Sequence, residues 1–351
     1  MIQLNEKEQK IITFFLQKEE MQSSDAHQAL LDSGENISLV TVKRALSDLT
    51  EKKALEMKGA GRSSRYTLTT NGRVFADINA EKYTSVEPDK RHGFKHPNLD
   101  LFKNFPKDLF SKEETENLRE LTNKYNKRSK DITDTIQKKE LERLTIELSW
   151  KSSKIEGNTY TLLDTERLIK DNQLADDKTE EETQMILNHK EAFNFIYNNK
   201  ELFRNLNKNN LIELHKILVK DLSVNIGFRK SLVGIAGSKY QPIDNIYQIE
   251  EAVDSLSNLI SQIKNPFSKA LTVLLGTSYI QPFEDGNKRT SRLVANALLL
   301  AYNCMPLSYR SINEKEYKSA TLVFYELNSI IPLKKIFINQ YKFAVENYNI
   351  R

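Results

Sequence analysis

The stretch QPFEDGNKRTSR, residues 281–292, decides how this chain is read. It reads as a loop that runs into a helix starting near Lys288. Phe283 is the expected buried anchor. Gly286 lets the backbone approach a ligand closely. The first N–H groups of a helix have no intrahelical partners and lie at the positive end of the helix dipole, which suits phosphate. Lys288, Arg289 and Arg292 add fixed positive charge. Arg289 and Arg292 are three apart and share a helix face, and guanidinium forks match phosphate oxygens in pairs. Cations at a helix N-terminus are unfavourable without a nearby anion. Three of them therefore argue for a bound anion over a merely solvated first turn. Asp285 is a carboxylate beside this nest, the usual way Mg²⁺ is held with few protein ligands. The expected ligand is a nucleoside triphosphate with Mg²⁺.

These residues resemble the signature of Fic-domain proteins, H-P-F-x-(D/E)-G-N-G-R-x-x-R. Pro282, Phe283, Asp285, Gly286, Asn287, Arg289 and Arg292 match it. Two positions depart from it. Gln281 stands where the family has histidine, and Lys288 replaces the second glycine, as in the related Doc proteins. The resemblance extends over roughly 110–345. It implies that Phe283 anchors the loop and Asp285 holds Mg²⁺. Gly286, Asn287 and Lys288 would form an anion hole, and Arg289 and Arg292 would grip the outer phosphates. The implied reaction transfers AMP from ATP to a Tyr, Ser or Thr hydroxyl of a target protein, with histidine as general base. A pKa near neutrality suits histidine to that task. A glutamine amide hydrogen-bonds but does not usefully exchange a proton. Loss of a general base costs about 10²–10⁴ in rate. Gln281 thus marks the position of the base, and the chain is expected to bind nucleotide but transfer it slowly. Two origins stay open: a natural pseudoenzyme that uses nucleotide as a signal, or an introduced His→Gln change, which needs one base. In Doc, a lysine at the position of Lys288 accompanies a reversed nucleotide and γ-phosphate transfer, so a protein kinase is the further alternative.

A second segment supports the same family. Residues 152–158 read SSKIEGN. Ser152 and Glu156 are four apart and share a helical face. They resemble the S/T-x-x-x-E-G/N inhibitory motif of Fic proteins, in which the glutamate pairs with the second signature arginine, here Arg292. The pair would occupy the group meant for the γ-phosphate, a brake acting in cis. Without the resemblance, Glu156 reads as a surface helix end before a Gly157-Asn158 cap. Residues 224–243, VNIGFRKSLVGIAGSKYQPI, interrupt the helical pattern with three glycines and a β-branched mix, which predicts a hairpin. By resemblance this is the flap that docks a target in extended form, through Gly227, Arg229, Val233, Gly234, Ile235, Ala236 and Gly237. Strand addition is a physically sensible mode there.

Outward from this core, residues 1–75 read as a separate small domain. Ile11, Ile12, Phe15 and Leu16 make one helical stripe, and a second helix is predicted over 24–32. A third begins after Ser38, a good N-cap, with Val42, Ala45, Leu46 and Leu49 at i, i+3, i+4, i+7. LEMK (55–58) and RYTLT (65–69) read as strands joined by GAGRSS. Three helices and a hairpin resemble a winged helix-turn-helix. Between residues 43 and 65 there are seven basic residues against three acidic ones. Thr41, Lys43, Arg44, Ser47, Lys58, Arg62 and Arg65 are therefore candidates for duplex DNA. Winged helices also dock proteins, and residues 1–75 as a whole are nearly neutral. Residues 76–108 contain Pro88, Pro97, Pro106 and Gly93 and read as a linker or wrapping arm. From 109 to 351 nearly everything is predicted helical. The expected architecture is mainly α: an all-helical Fic-type domain with one β-hairpin flap and an inhibitory helix near 145–158, preceded by a small α+β winged-helix domain. An alternative function is a DNA-binding regulator whose catalytically weak Fic body senses nucleotide.

Bulk properties exclude little. A net charge of +4 over 351 residues does not by itself imply a polyanionic partner. The single cysteine, Cys304, rules out an intrachain disulfide and reads as a small buried hydrophobe. His27, His92, His96, His189 and His215 show no metal-ligand spacing. No apolar run is long enough to span a membrane, and the N-terminus lacks the apolar core of a signal peptide. A cytoplasmic location follows as an expectation, and a homo-oligomer is left open.

Overall fold

A computed structural model describes residues 1–130 and 132–350, apart from the side chain of Arg62. In chain order the helices and strands are α1 (Glu6–Gln17), β1 (Glu20–Met21), α2 (Ser23–Asp32), α3 (Leu39–Glu51), β2 (Leu55–Lys58), β3 (Arg65–Leu68), α4 (Thr70–Val74) and α5 (Ala80–Thr84). They continue with α6 (Lys112–Lys130), α7 (Asp134–Ile155), α8 (Leu162–Asp171), α9 (Glu180–Asn198), α10 (Lys208–Leu218) and α11 (Ile246–Gln262). The last are α12 (Pro266–Ile280), α13 (Asn287–Ala301), α14 (Glu314–Leu327) and α15 (Ile331–Asn347). The chain divides into two compact units. One comprises Met1–Pro106, Gly234–Gln241 and Lys315–Lys334; the other comprises Lys107–Val233, Pro242–Glu314 and Lys335–Arg351.

The first unit contains the winged helix-turn-helix. α1 starts with a reciprocal capping box between Asn5 and Glu8 and buries Ile11, Ile12, Phe15 and Leu16. Ser38 caps α3 by accepting from Thr41 N, and Val42, Ala45, Leu46 and Leu49 face the core as their spacing requires. β2 and β3 pair antiparallel with Leu55 opposite Leu68 and Lys58 opposite Arg65. β1, too short to be legible as a strand, adds to the other side of β3. α14 lends Val323 and Leu327 to this core. Residues 76–106 also belong to this unit and bury Tyr83, Leu101, Phe102 and Phe105. Buried Glu326 binds Arg91 at 3.0 Å, Tyr83 Oη at 2.8 Å and Ser238 Oγ at 2.6 Å. It thereby fastens the segment Gly234–Gln241 within the unit.

The second unit is helical and centred on α12 and α13, whose residues are almost all buried. α11 packs on α12, while α9, α10 and α7 pack on α13. Gly276 permits the close approach of α11: a Cβ there would lie 2.5 Å from Leu256 Cδ1. The loop 281–286 joins the two central helices, so its ends are fixed by the core of the unit.

The hairpin predicted over 224–243 is not formed; these residues contain no paired strand. Their backbone groups bond outside the segment instead. Arg229 N donates to Pro282 O at 2.9 Å, and Gln241 N donates to Lys95 O at 2.8 Å. Glycines and short apolar residues mark an irregular extended loop as readily as a strand. Val224–Val233 belongs to the second unit and Gly234–Gln241 to the first.

Candidate nucleotide site

α12 ends at Ile280, and Gln281 takes a left-handed conformation with φ 52°. Its side-chain amide donates to Ser278 O at 2.6 Å, turned back along the helix. Phe283 is fully buried, and its ring stacks on His215 with centroids 3.7 Å apart and planes 2° from parallel. Asn287 braces the turn: its Oδ1 accepts from Phe283 N at 2.9 Å and its Nδ2 donates to Phe283 O at 2.7 Å. The Asn287 side chain is therefore committed to the loop, leaving its backbone for any anion. Gly286 caps α13 with φ 75°, a conformation that favours glycine.

His215, which with His189 is one of the two histidines the sequence offers as a substitute for a base at 281, braces the loop instead. Nothing in its spacing ties it to a loop 70 residues away. Its Nε2–H donates to Asp285 O at 3.0 Å, since a carbonyl can only accept. Burial pushes its pKa down to about 4, so the ring is neutral near pH 7. His189 is completely buried, and neither ring nitrogen has a hydrogen-bond partner. Burial, then the charges of Arg292 and Arg289, holds its pKa well below the usual histidine range. His215 is engaged in the loop and His189 is sealed from solvent, so neither stands in for a base at 281.

The three cations in the first two turns of α13 have different surroundings. Arg292 is fully buried, and each of its guanidinium nitrogens meets the end of α7. Nε donates to Ser152 Oγ at 2.9 Å, Nη2 to Ser152 O at 2.8 Å and Nη1 to Glu156 Oε1 at 2.8 Å. Lys288 Nζ lies 3.5 Å from the other oxygen of Glu156. Arg289 donates to Asp285 Oδ2 at 2.8 Å, while its Nη1 is buried without a partner. Glu156 is the C-cap of α7, a position where the helix dipole disfavours a carboxylate. Burial alone would raise its pKa; Arg292, Lys288 and Arg289 outweigh that and hold it below the usual carboxylate range. Its side chain retains 18% exposure.

The Asp285 carboxylate is 65% exposed, with Oδ2 held by Arg289 at 2.8 Å. No group of three or more His, Cys, Asp or Glu side chains is arranged for a metal among the described residues. Of the flap residues, Gly234, Ala236 and Gly237 are exposed, and Gly227, Val233 and Ile235 are partly so. Arg229 is 2% exposed and points inward, so it holds the segment and presents no side chain to a target. Of the DNA candidates, Lys43, Arg44, Ser47, Lys58 and Arg65 are exposed and Thr41 is half-buried. Arg65 already pairs with Glu20 at 3.0 Å, and Thr41 Oγ1 bonds Ser38 Oγ at 2.9 Å. The side chain of Arg62 lies outside the described residues. Cys304 is buried, and burial pushes its thiol up to about 12, an inert group.

Residues 205–299, which contain His215, the flap and the whole loop, match the model of the Fic/DOC family. That stretch is similar to Fic/DOC domains. Residues 4–124 match the penicillinase repressor family, in keeping with the winged helix. The chain is 30% identical to the protein adenylyltransferase Fic of Drosophila willistoni over 158 residues, 44% of this chain and 31% of that protein. With its Drosophila melanogaster counterpart it shares 28% over 156 residues, 44% of this chain and 32% of that protein. It thus spans about a third of the length of the curated relatives it matches. Among solved structures, Fic-1 from Caenorhabditis elegans superposes with a TM-score of 0.58 at 17% identity, covering 67% of this chain and 71% of that one. A Fic family protein from Desulfovibrio desulfuricans gives 0.56 at 18% identity, covering 68% and 74%. At such identities these structures speak for the fold of the Fic/DOC domain.

Proposed function

We propose that this chain is a Fic-type protein adenylyltransferase held off by its own Glu156. ATP with Mg²⁺ would lie on the N-terminus of α13. Asp285 would hold the metal, the backbone of Gly286–Lys288 would meet phosphate oxygens, and the unpartnered Nη1 of Arg289 would take another. The observation that carries the reading is the enclosure of Arg292 by Ser152 and Glu156. A guanidinium bonded this way is not available to a γ-phosphate, and the nucleotide then binds weakly or in an unreactive pose. Removing Glu156 takes away the carboxylate on Nη1 of the arginine but supplies no base, because the amide of Gln281 cannot take a proton from an acceptor hydroxyl.

The double variant Gln281→His, Glu156→Gly is expected to label itself with α-labelled ATP, while the unaltered chain labels at least roughly 100-fold more slowly. Absence of labelling in the double variant contradicts the proposal. Label arriving only from γ-labelled ATP would instead support phosphate transfer.

The match of residues 4–124 to a repressor family favours a second activity, duplex DNA binding through the winged helix of residues 1–75. The exposed Lys43 and Arg44 on α3 and Lys58 on β2 would meet the major groove and adjacent phosphates. On this reading Lys43→Ala with Arg44→Ala lowers the salt dependence of duplex binding by a slope of about 2. No salt-dependent duplex binding by the full chain would leave the winged helix as a protein-docking module. The 109–351 body would then act alone on a target protein in the cytoplasm.

A further inference from the structure

Two residues outside the phosphate-binding set stitch the flap to the loop. Arg229 is buried, and its backbone N–H donates to Pro282 O at 2.9 Å. Its Nε donates to Gln281 O at 2.7 Å, its Nη1 to Ser231 O at 2.7 Å and its Nη2 to Ile243 O. One guanidinium thereby joins position 281 to a residue early in the flap and to a residue at its end. Glu284 works from the solvent side. Both of its oxygens accept from Asn225 Nδ2 at 3.0 Å, and Oε2 also accepts from Asn225 N at 3.3 Å. Ser231 Oγ lies 3.5 Å from Oε1. Hydrogen bonding from Asn225 holds the Glu284 carboxyl below its usual range. Apolar burial contributes little at this end of the flap. Ile226 is 60% and Leu232 77% exposed, although Phe228 leans on Phe283 with ring centroids 5.7 Å apart.

We propose that Arg229 and Glu284 are positioning residues that set flap residues 225–233, along which a target would dock, relative to the reacting position at 281. What docks there rests on the adenylyltransferase reading; the clamp itself does not. Three carbonyls in different directions require the planar fork of arginine, and a lysine ammonium on one flexible stem cannot span them. Glu284 occupies the variable position of the signature and touches no group assigned to nucleotide. The clamp therefore governs where an acceptor hydroxyl is presented, while ATP binding is left to Gly286, Lys288, Arg289 and Arg292.

Hydrogen exchange followed by mass spectrometry on the full chain tests this. Glu284→Ala is expected to speed amide exchange over residues 225–233 by roughly fivefold or more, with the Kd for Mg–ATP unchanged within about twofold. Glu284→Gln retains a carbonyl oxygen for Asn225 and is expected to recover most of the protection. Arg229→Lys should act in the same direction and more strongly, and Glu284, being exposed, serves where that variant fails to fold. In the Gln281→His, Glu156→Gly background, Glu284→Ala should slow self-labelling without weakening ATP. Unchanged exchange in Glu284→Ala overturns the proposal, as does a parallel loss of ATP affinity. Faster exchange together with no labelling in any background supports the clamp and counts against AMP transfer.

Discussion

The loop 281–286 and the flap residues 224–233 belong to one compact unit but are built on opposite principles. In the loop, geometry is set by residues of the loop and by a buried ring behind it. Phe283 is sealed against His215, Asn287 closes the turn on Phe283, and Gly286 supplies a left-handed hinge. In the flap, the backbone is irregular and leans on Arg229 and Glu284. An anion of fixed shape rewards a rigid nest. A peptide partner that adds along an extended segment needs a located edge, and a few polar anchors supply one without a sheet.

The contrast is broken most strongly at Gly286. A Cβ added at Gly286 meets ordinary contacts, Val219 Cγ1 at 3.5 Å and His215 Cδ2 at 3.6 Å, so backbone strain is the first cost of Gly286→Val. A β-branched residue at φ 75° is strained by about 1–3 kcal/mol. The loop relieves that strain by leaving the nest geometry, which ATP must then restore. Binding of Mg–ATP by calorimetry should weaken roughly ten- to hundredfold, while the exchange pattern of the flap stays close to that of the unaltered chain.

The next effect is a pH dependence centred on His215. Its pKa is about 4 in the folded chain and near 6.5 when unfolded. Between those values the unfolded chain binds the extra proton, so stability rises with pH across the window and is lost as pH falls from about 6.5 toward about 4. The loss amounts to at most roughly 3 kcal/mol, read as denaturant midpoints at several pH values. His215→Phe keeps a ring to stack on Phe283 and should reduce this slope, leaving the part that His189 contributes with the same sign. Glu156 acts at lower pH. Its pKa is depressed, so its contribution is present above the ordinary carboxylate range and fades only as pH falls below it. The smallest expected change is Ser231→Ala in the flap, which removes one contact at 3.5 Å, the outer limit of a hydrogen bond. A shift in stability of less than about 0.5 kcal/mol is expected, with self-labelling in the active background nearly unchanged.

The same contrast explains what the sequence made legible. The loop 281–286 could be read because glycine, an apolar anchor and cations at a helix start each carry a local meaning. The stripe Val42, Ala45, Leu46, Leu49 and the cap Ser38 were legible for the same reason. The pairing of Ser152 and Glu156 with Arg292 was readable only through resemblance, because 136 residues separate Glu156 from Arg292. The flap was misread as a hairpin because alternation and glycines do not reveal where backbone N–H groups find acceptors. Its acceptors, Pro282 O and Lys95 O, are remote in sequence. Arg229 looked like a docking side chain for a related reason. A charged residue in a loop reads as exposed until the carbonyls that bury it are seen. The bracing by His215, the strand β1 and the hub at Glu326 gave no signal, since each depends on partners far along the chain.

The central claim is that Glu156 occupies the arginine meant for nucleotide. Losing the carboxylate removes the negative charge on Nη1 of Arg292 while Ser152 still holds Nε and Nη2, and a phosphate oxygen would supply that charge in its place. The direct measurement is calorimetric titration of Mg–ATP into the chain and into Glu156→Gly, both with Gln281 retained so that chemistry does not intervene. The expected result is at least roughly tenfold tighter binding in Glu156→Gly, about 1.4 kcal/mol or more, with Arg292→Ala in that background removing the gain. Equal affinities for the two proteins would contradict the claim.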